Sequence, residues 1–221
     1  MVRVCVLGAG GFIGKNLLLD TEWVGITHQD LDLTDHITVQ KYFEENCYDV
    51  VIHCAVVGGS RLRPDDGEVL YKNLMMFENV VRVFKGKLLY FSSGAALRGN
   101  PPTDPYGFSK WLIDKRIQTI KNAYTLRIWG CYGPGELPTR FSAVCKRDRH
   151  VVIDQDRYFD FIDIEDVRKI VHEYVSCKWE MPKVCNLVYP EKLLLSQWAK
   201  KFGATWEIKD STKLGEPYHA P

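Results

Sequence analysis

In the run Pro105-Tyr106-Gly107-Phe108-Ser109-Lys110-Trp111-Leu112-Ile113, a tyrosine stands four residues before a lysine. On a helix this spacing puts Tyr106 and Lys110 on one face, a turn apart. A phenol with its ordinary pKa of about 10 is a poor acid–base group at neutral pH. A neighbouring ammonium favours the phenolate and draws it toward the range where proton transfer is efficient. The chemistry on offer is a proton exchanged with an oxygen held beside the phenol. The same spacing occurs by chance on surface helices, so its weight depends on the elements around it.

The first of these elements opens the chain. Val2-Arg3-Val4-Cys5-Val6-Leu7 is an apolar run of strand length, β-branched at alternate positions. Gly8-Ala9-Gly10-Gly11-Phe12-Ile13-Gly14 follows at once, then a helical stretch from Lys15 to Asp20. A strand, a glycine turn and a helix N-terminus together cradle a pyrophosphate, because bare backbone approaches closely and the helix dipole favours negative charge. The glycines are spaced G-x-x-G-x-x-G; a plain glycine-rich turn is the other reading.

Strand-like segments at 2–7, 23–28, 49–54, 87–92 and 124–129 alternate with helical stretches near 36–46, 66–85 and 105–121. Such alternation predicts an α/β protein: a parallel sheet, helices on both faces, and a ligand at the carboxyl ends of the strands. Gly99, Pro101, Pro102 and Pro105 punctuate the loop 98–105. Beyond residue 130 the pattern loosens.

Length and composition bound the function. At 221 residues one large domain with an ample core is expected. A net charge of +1 with interspersed signs makes no electrostatic case for a nucleic acid polymer or a membrane surface. The seven cysteines are scattered through apolar runs with no Cys-x-x-Cys pair, as in a reduced, cytoplasmic protein. Lys15 and Asp20 interrupt the early apolar stretch, so no signal peptide or membrane span is read. No spacing of metal ligands occurs around His53 or elsewhere.

In its motifs the chain resembles the extended short-chain dehydrogenase/reductase superfamily, in the branch of nucleotide-sugar epimerases, dehydratases and 4-ketoreductases. The resemblance runs in order through the glycine turn, Asp32-Leu33-Thr34-Asp35, Val51-Ile52-His53-Cys54-Ala55 and Asn73 to Val81. It continues through Phe91-Ser92-Ser93, Tyr106 to Lys110, Tyr132-Gly133-Pro134-Gly135 and Asp160-Phe161-Ile162. It implies a Rossmann-type doubly wound parallel sheet over 1–130 and a small substrate-binding lobe over 131–221, partly returning to the sheet.

The resemblance also assigns roles. Gly8, Gly11, Phe12, Ile13 and Gly14 would hold the cofactor's pyrophosphate, and Cys54 and Ala55 would pass their backbone beside it. Asp32 and Leu33 would meet the adenine, although Asp32 by count could instead be a ribose carboxylate. No acidic residue ends the second strand, and His28 there tolerates a phosphate, which favours NADP over NAD. Gly58-Gly59-Ser60-Arg61 would face the nicotinamide and substrate, Arg61 reaching a phosphate or only solvent. His53 and Asn73 read as structural, as do Asp160 and Asp166. Lys146-Arg147-Asp148-Arg149-His150 could meet a diphosphate or be a solvated helix end. The family's arginine before Asp-Phe-Ile is replaced by Phe159, with Arg157 two residues upstream.

Catalysis would fall to Tyr106, Lys110 and a hydroxyl after the fourth strand. Ser93, four residues before Leu97, is the best match; the family's aromatic is missing there, so Ser92 stays open. Gly94-Ala95 stand where dehydratases carry Asp-Glu, and Ala95 where reductases that also epimerise carry cysteine. What remains is reduction of a nucleotide-linked 4-keto-6-deoxy sugar at C4, or 4-epimerisation with tightly bound NAD. A cofactor-binding regulator without turnover is the alternative of another class. The helices bearing Asn73 and Tyr106 would pair across a two-fold axis in a homodimer.

Overall fold

A computed structural model describes residues 2–60, 63–177 and 181–221. Arg61 therefore lies outside the described residues. The chain divides into two compact units, 1–127 with 168–185, and 128–167 with 186–221.

The first unit is organised on β1 (Val4–Leu7), β2 (Val24–Ile26), β3 (Val50–His53), β4 (Lys87–Ser93) and β5 (Ala123–Ile128). With β9 (Val184–Leu187) they form a six-stranded sheet in the order β2-β1-β3-β4-β5-β9. The pairs β1–β2, β1–β3 and β3–β4 are parallel. After β2 forms on one side of β1, the chain crosses to place β3 on the other, so strand order reverses at β1/β3. Ligands of open α/β sheets bind at the carboxyl ends of the strands at such a reversal. Apolar residues on every position of β1, on Val50 to Ile52 of β3 and on Leu88 to Phe91 of β4 are what a sheet covered on both faces requires.

The helices are α1 (Phe12–Leu17), α2 (His36–Glu45), α3 (Gly67–Val83) and α4 (Pro105–Ile117). Asp35, Asp66 and Asp104 cap the last three by accepting from backbone N–H groups of the first turn. Phe77 and Val80 of α3 and Ile113 and Ile117 of α4 are buried in one core with Tyr90 and Leu88 of β4.

Several boundaries differ from the sequence reading for local reasons. α1 begins at Phe12, not Lys15, because Lys15 donates its N–H to the Gly11 carbonyl and so already closes a turn. β2 stops at Ile26 because the Thr27 N–H is taken by the Asp30 carboxylate at 2.8 Å. α4 ends at Ile117, not 121, where Thr119 and Ile120 bond back only three residues, to Arg116 and Ile117.

The second unit holds two small parallel sheets, β6 (Gly130–Tyr132) with β8 (Phe161–Asp163), and β7 (His150–Ile153) with β10 (Thr205–Ile208). Helices α5 (Phe141–Asp148) and α7 (Leu195–Lys201) contribute Cys145, Trp198 and Ala199 to its core, beside Phe159, Phe161 and Phe202. Helix α6 (Ile164–Ser176) runs from this unit into the first. Among the described residues no helix is long and apolar enough to cross a membrane.

Candidate functional site

At the reversal point the glycine turn is fixed by close packing. Gly8 and Ala9 donate to the Ile26 carbonyl at 2.9 and 3.0 Å, carrying the chain past the end of β2. Gly8 has φ +85, and a Cβ there would lie 2.5 Å from the Ala55 nitrogen. A Cβ on Gly14 would collide with the Gly8 carbonyl and lie 2.9 Å from the Ala9 Cα. Two glycines are thus required for the turn and for the helix to sit on it. Gly10 and Gly11 are different: a Cβ would meet only the Thr27 methyl at 3.9 Å in one case and the Gly8 oxygen at 3.4 Å in the other. Bare backbone there borders open space at the start of α1, whose first-turn N–H groups have no intrahelical acceptor. This cradle fits a pyrophosphate. Phe12 and Ile13 follow it, both half-buried.

Beyond the turn, Thr27 lies against Gly10, and exposed His28 follows it. Asp32 is exposed, and its carboxylate accepts from the Thr34 N–H at 2.9 Å and the Thr34 hydroxyl at 2.7 Å. Those bonds hold its pKa below the ordinary carboxylate value. Leu33 is turned the other way: its side chain is core, and Asn79 donates to its carbonyl at 3.0 Å. Cys54 and Ala55 leave β3 beside Gly8, and burial pushes the Cys54 thiol far up, keeping it protonated.

Tyr106 and Lys110 occupy the first two turns of α4. Asp104 accepts from the Gly107 N–H at 2.7 Å, and Pro105 supplies the first residue with its fixed φ. A Cβ on Gly107 would sit 2.8 Å from the Ala95 carbonyl. The glycine beside Tyr106 thus lets α4 press onto the 3-10 turn Gly94–Leu97 that follows β4. Ser93 caps that turn, its Oγ accepting from the Ala95 N–H at 3.2 Å. Ser92 points to the opposite face of β4, buried, its Oγ without a hydrogen-bond partner. Of the two serines the structure therefore puts Ser93 on the turn that α4 touches.

Lys110 is 2% exposed, and its Nζ donates to the Tyr90 hydroxyl at 2.8 Å and the Phe91 carbonyl at 2.9 Å. It lies 5.7 Å from the centroid of the Tyr106 ring. Burial lowers its pKa to about 8, opposed chiefly by the Asp114 carboxylate one turn along α4. Asp114 is itself paired with Arg127 at 2.7 Å, both buried. Tyr90 was missed in the sequence; the one signal was a polar tip within the otherwise apolar run Leu88 to Phe91.

Two further contacts fix Tyr106. Gly59, with φ +71, lies against its ring so closely that a Cβ would be 2.8 Å from it. The Ser109 hydroxyl donates to the Tyr106 carbonyl at 2.7 Å. His53, 1% exposed, meets no partner at hydrogen-bonding geometry through either ring nitrogen, and burial lowers its pKa to about 4. Among the described residues no group of His, Cys, Asp and Glu is placed to hold a metal ion.

In the second unit the basic stretch is engaged locally. Lys146 pairs with Glu136 at 3.5 Å, and Arg147 with Asp148 at 2.6 Å. Asp160 accepts from Lys192 and from the Ala220 N–H, both at 2.7 Å, and Asp166 from the Tyr189 hydroxyl at 2.6 Å. Tyr132, Tyr189, Trp198, Phe202 and the two lysines 146 and 201 line a cavity of about 820 Å³ within this unit.

The family model of the NAD dependent epimerase/dehydratase family matches residues 4–181. The GDP-6-deoxy-D-talose 4-dehydrogenase of Aggregatibacter actinomycetemcomitans is 25% identical over 211 residues, covering 79% of this chain and 70% of its own. The UDP-glucose 4-epimerase of Bos taurus is 27% identical over 202 residues, covering 74% of this chain and 58% of its own. The chain thus spans less than two thirds of that epimerase. In fold it is similar to a dTDP-4-dehydrorhamnose reductase from Bacillus anthracis solved with NADP, with a TM-score of 0.80 and 20% identity over 96% of this chain and 86% of that one. With its match running from β1 to beyond α6, the chain belongs to the NAD dependent epimerase/dehydratase family of extended short-chain dehydrogenase/reductases.

Proposed function

We propose that the protein is an NADP-dependent reductase of a nucleotide-linked 4-keto-6-deoxy sugar, acting at C4. The observation that carries this reading is the neighbourhood of Tyr106. The phenol stands a turn from a buried ammonium, while the adjoining 3-10 turn presents Gly94 and Ala95, with no carboxylate or thiol for elimination or ring epimerisation. One proton donor serves one carbonyl.

When bound, NADPH supplies the hydride. Tyr106 donates its phenolic proton to the alkoxide forming at C4, and Ser93 orients that oxygen. Lys110 keeps positive charge beside the phenolate left behind and holds the cofactor ribose. Gly8, Gly11, Phe12, Ile13 and Gly14 hold the pyrophosphate, with His28 and Asp32 at the adenine end. The second unit, with its aromatic cavity, receives the nucleotide-sugar. All seven thiols are free, which suits a cytoplasmic enzyme. A homodimer pairs α3 and α4 with their two-fold mates, using half-buried Phe108, Trp111 and Leu112. Light scattering giving a dimer mass supports that arrangement, and a monomer mass removes it.

Likeness to a UDP-glucose 4-epimerase favours a second reading, 4-epimerisation. Two incubations separate the readings: NADPH absorbance is followed with a panel of nucleotide-linked 4-keto-6-deoxy sugars, and the matching 4-hydroxy sugars are incubated with NAD. Stoichiometric loss of NADPH supports the reductase. Interconversion of 4-hydroxy sugars without net loss supports the epimerase. In either case Tyr106→Phe lowers kcat on the order of 10²–10⁴-fold with cofactor affinity retained. Near-normal turnover would refute the assignment.

A further inference from the structure

We propose that Tyr90 is a positioning residue for Lys110, its phenolic oxygen and ring face together fixing the ammonium at the end of β4. The proposal rests on the reading that Lys110 serves the proton donor. Nζ lies 2.8 Å from the Tyr90 oxygen and 4.5 Å from the centroid of the same ring. One side chain thus supplies both a hydrogen-bond acceptor and a cation–π face. The Phe91 carbonyl at 2.9 Å takes a second of the three ammonium hydrogens.

Packing alone does not require the hydroxyl. Tyr90 is 1% exposed, and its ring is held edge-on between Phe77 at 5.3 Å and His53 at 5.5 Å. A phenylalanine would fill the same volume. A buried hydroxyl without a partner is costly, and the partner here is the lysine. Burial holds the phenol well above its ordinary range, so it meets the ammonium as a neutral dipole.

The other groups facing Nζ do not replace this contact. On α4 stand Tyr106, seen through its ring, and Asp114, whose carboxylate is bound by Arg127 of β5. At the end of β3 stand His53 and Cys54, both held neutral by burial. Among the described residues no carboxylate is in salt-bridge contact with the ammonium, so the Tyr90 oxygen and the Phe91 carbonyl carry its solvation. Losing one of two such bonds lowers the pKa of Lys110 further below about 8.

The test is an NMR titration of protein labelled at the lysine ε-carbon, the Lys110 signal being identified by its loss in Lys110→Met. In Tyr90→Phe the Lys110 midpoint should fall by about one pH unit. The alkaline limb of kcat/KM should move down with it, and thermal unfolding at neutral pH should fall only by the few degrees that such a shift implies. An unchanged midpoint in a folded variant overturns the proposal. Should Tyr90→Phe fail to fold, 3-fluorotyrosine placed at position 90 alone keeps the shape and weakens the acceptor. A smaller fall supports the proposal, and no fall overturns it. The titration needs neither substrate nor cofactor, so it is independent of the functional reading. That reading fails separately if Lys110→Met retains turnover.

Discussion

Asn73 on α3 donates through Nδ2 to the Ser109 hydroxyl on α4 at 3.1 Å, and Ser109 passes its own hydrogen to the Tyr106 carbonyl at 2.7 Å. Asn73 also exchanges two bonds with the Val57 backbone, at 2.9 and 3.0 Å. One buried amide therefore ties the loop after β3 to the backbone of the residue proposed as proton donor. Through that loop it also sets Gly59, which lies on the Tyr106 ring.

Substituting Asn73 should accordingly cost both stability and rate. Asn73→Ala leaves the Val57 backbone and Ser109 short of partners, at on the order of 1–3 kcal/mol in urea unfolding. Ser109→Ala removes one link only and should cost about 1 kcal/mol. A kcat loss larger in Asn73→Ala than in Ser109→Ala, with KM for NADPH little changed, is the expected pattern. Equal effects from the two would disprove the branching from Asn73.

Gly59→Ala probes the other side of the phenol. The new methyl would sit 2.8 Å from the ring, at a backbone φ of +71 that alanine resists. Either Tyr106 or the loop must move, so kcat should fall by at least about tenfold. Binding of NADPH, followed by fluorescence, should survive. Wild-type kcat in Gly59→Ala would show that this contact leaves the phenol's position unset.

The adenine end yields a prediction on selectivity. His28 is exposed one residue beyond the Thr27 that borders Gly10, and the Asp30 carboxylate beside the tip of β2 is tied to the Thr27 N–H and hydroxyl at 2.8 and 2.6 Å. His28→Asp should turn a preference for NADPH into one for NADH, because a carboxylate repels the 2′-phosphate. Titration of both cofactors against both proteins measures it. A native protein that strongly prefers NADH would overturn the assignment.

Sequence disclosed the sheet, its glycine turn and the Tyr106–Lys110 face, because each is a local pattern: an apolar run, fixed glycine spacing, one helical turn. Tyr90 and Asp114 were hidden for the opposite reason. Tyr90 meets Lys110 across twenty positions and Asp114 meets Arg127 across thirteen, and only tertiary packing brings them together. Leu33 was read as facing the adenine, yet alternation between Leu31, Asp32 and Leu33 puts both leucines in the core. The elements beyond residue 130 were also illegible. Strands β6, β7, β8 and β10 are three or four residues long and pair two by two, too short for periodicity to show, while β9 returns to the main sheet as the resemblance implied.

His53 supplies a prediction that needs no substrate. Its ring is buried without a hydrogen-bonded partner, and its pKa falls from the ordinary 6.5 to about 4, through burial first and the Lys110 charge second. Between those two values the unfolded chain binds a proton that the folded chain refuses. Stability therefore rises with pH through this window, is fully present above about 6.5, and is lost as pH falls toward about 4. His53→Leu, similar in bulk and unable to titrate, should flatten that part of the curve relative to the unsubstituted protein. The two should converge at neutral pH to within the small cost of repacking beside Phe77 and Tyr90. Urea midpoints measured across the acid range decide it: parallel curves for the two proteins would mean that His53 is not the group whose neutrality the fold enforces.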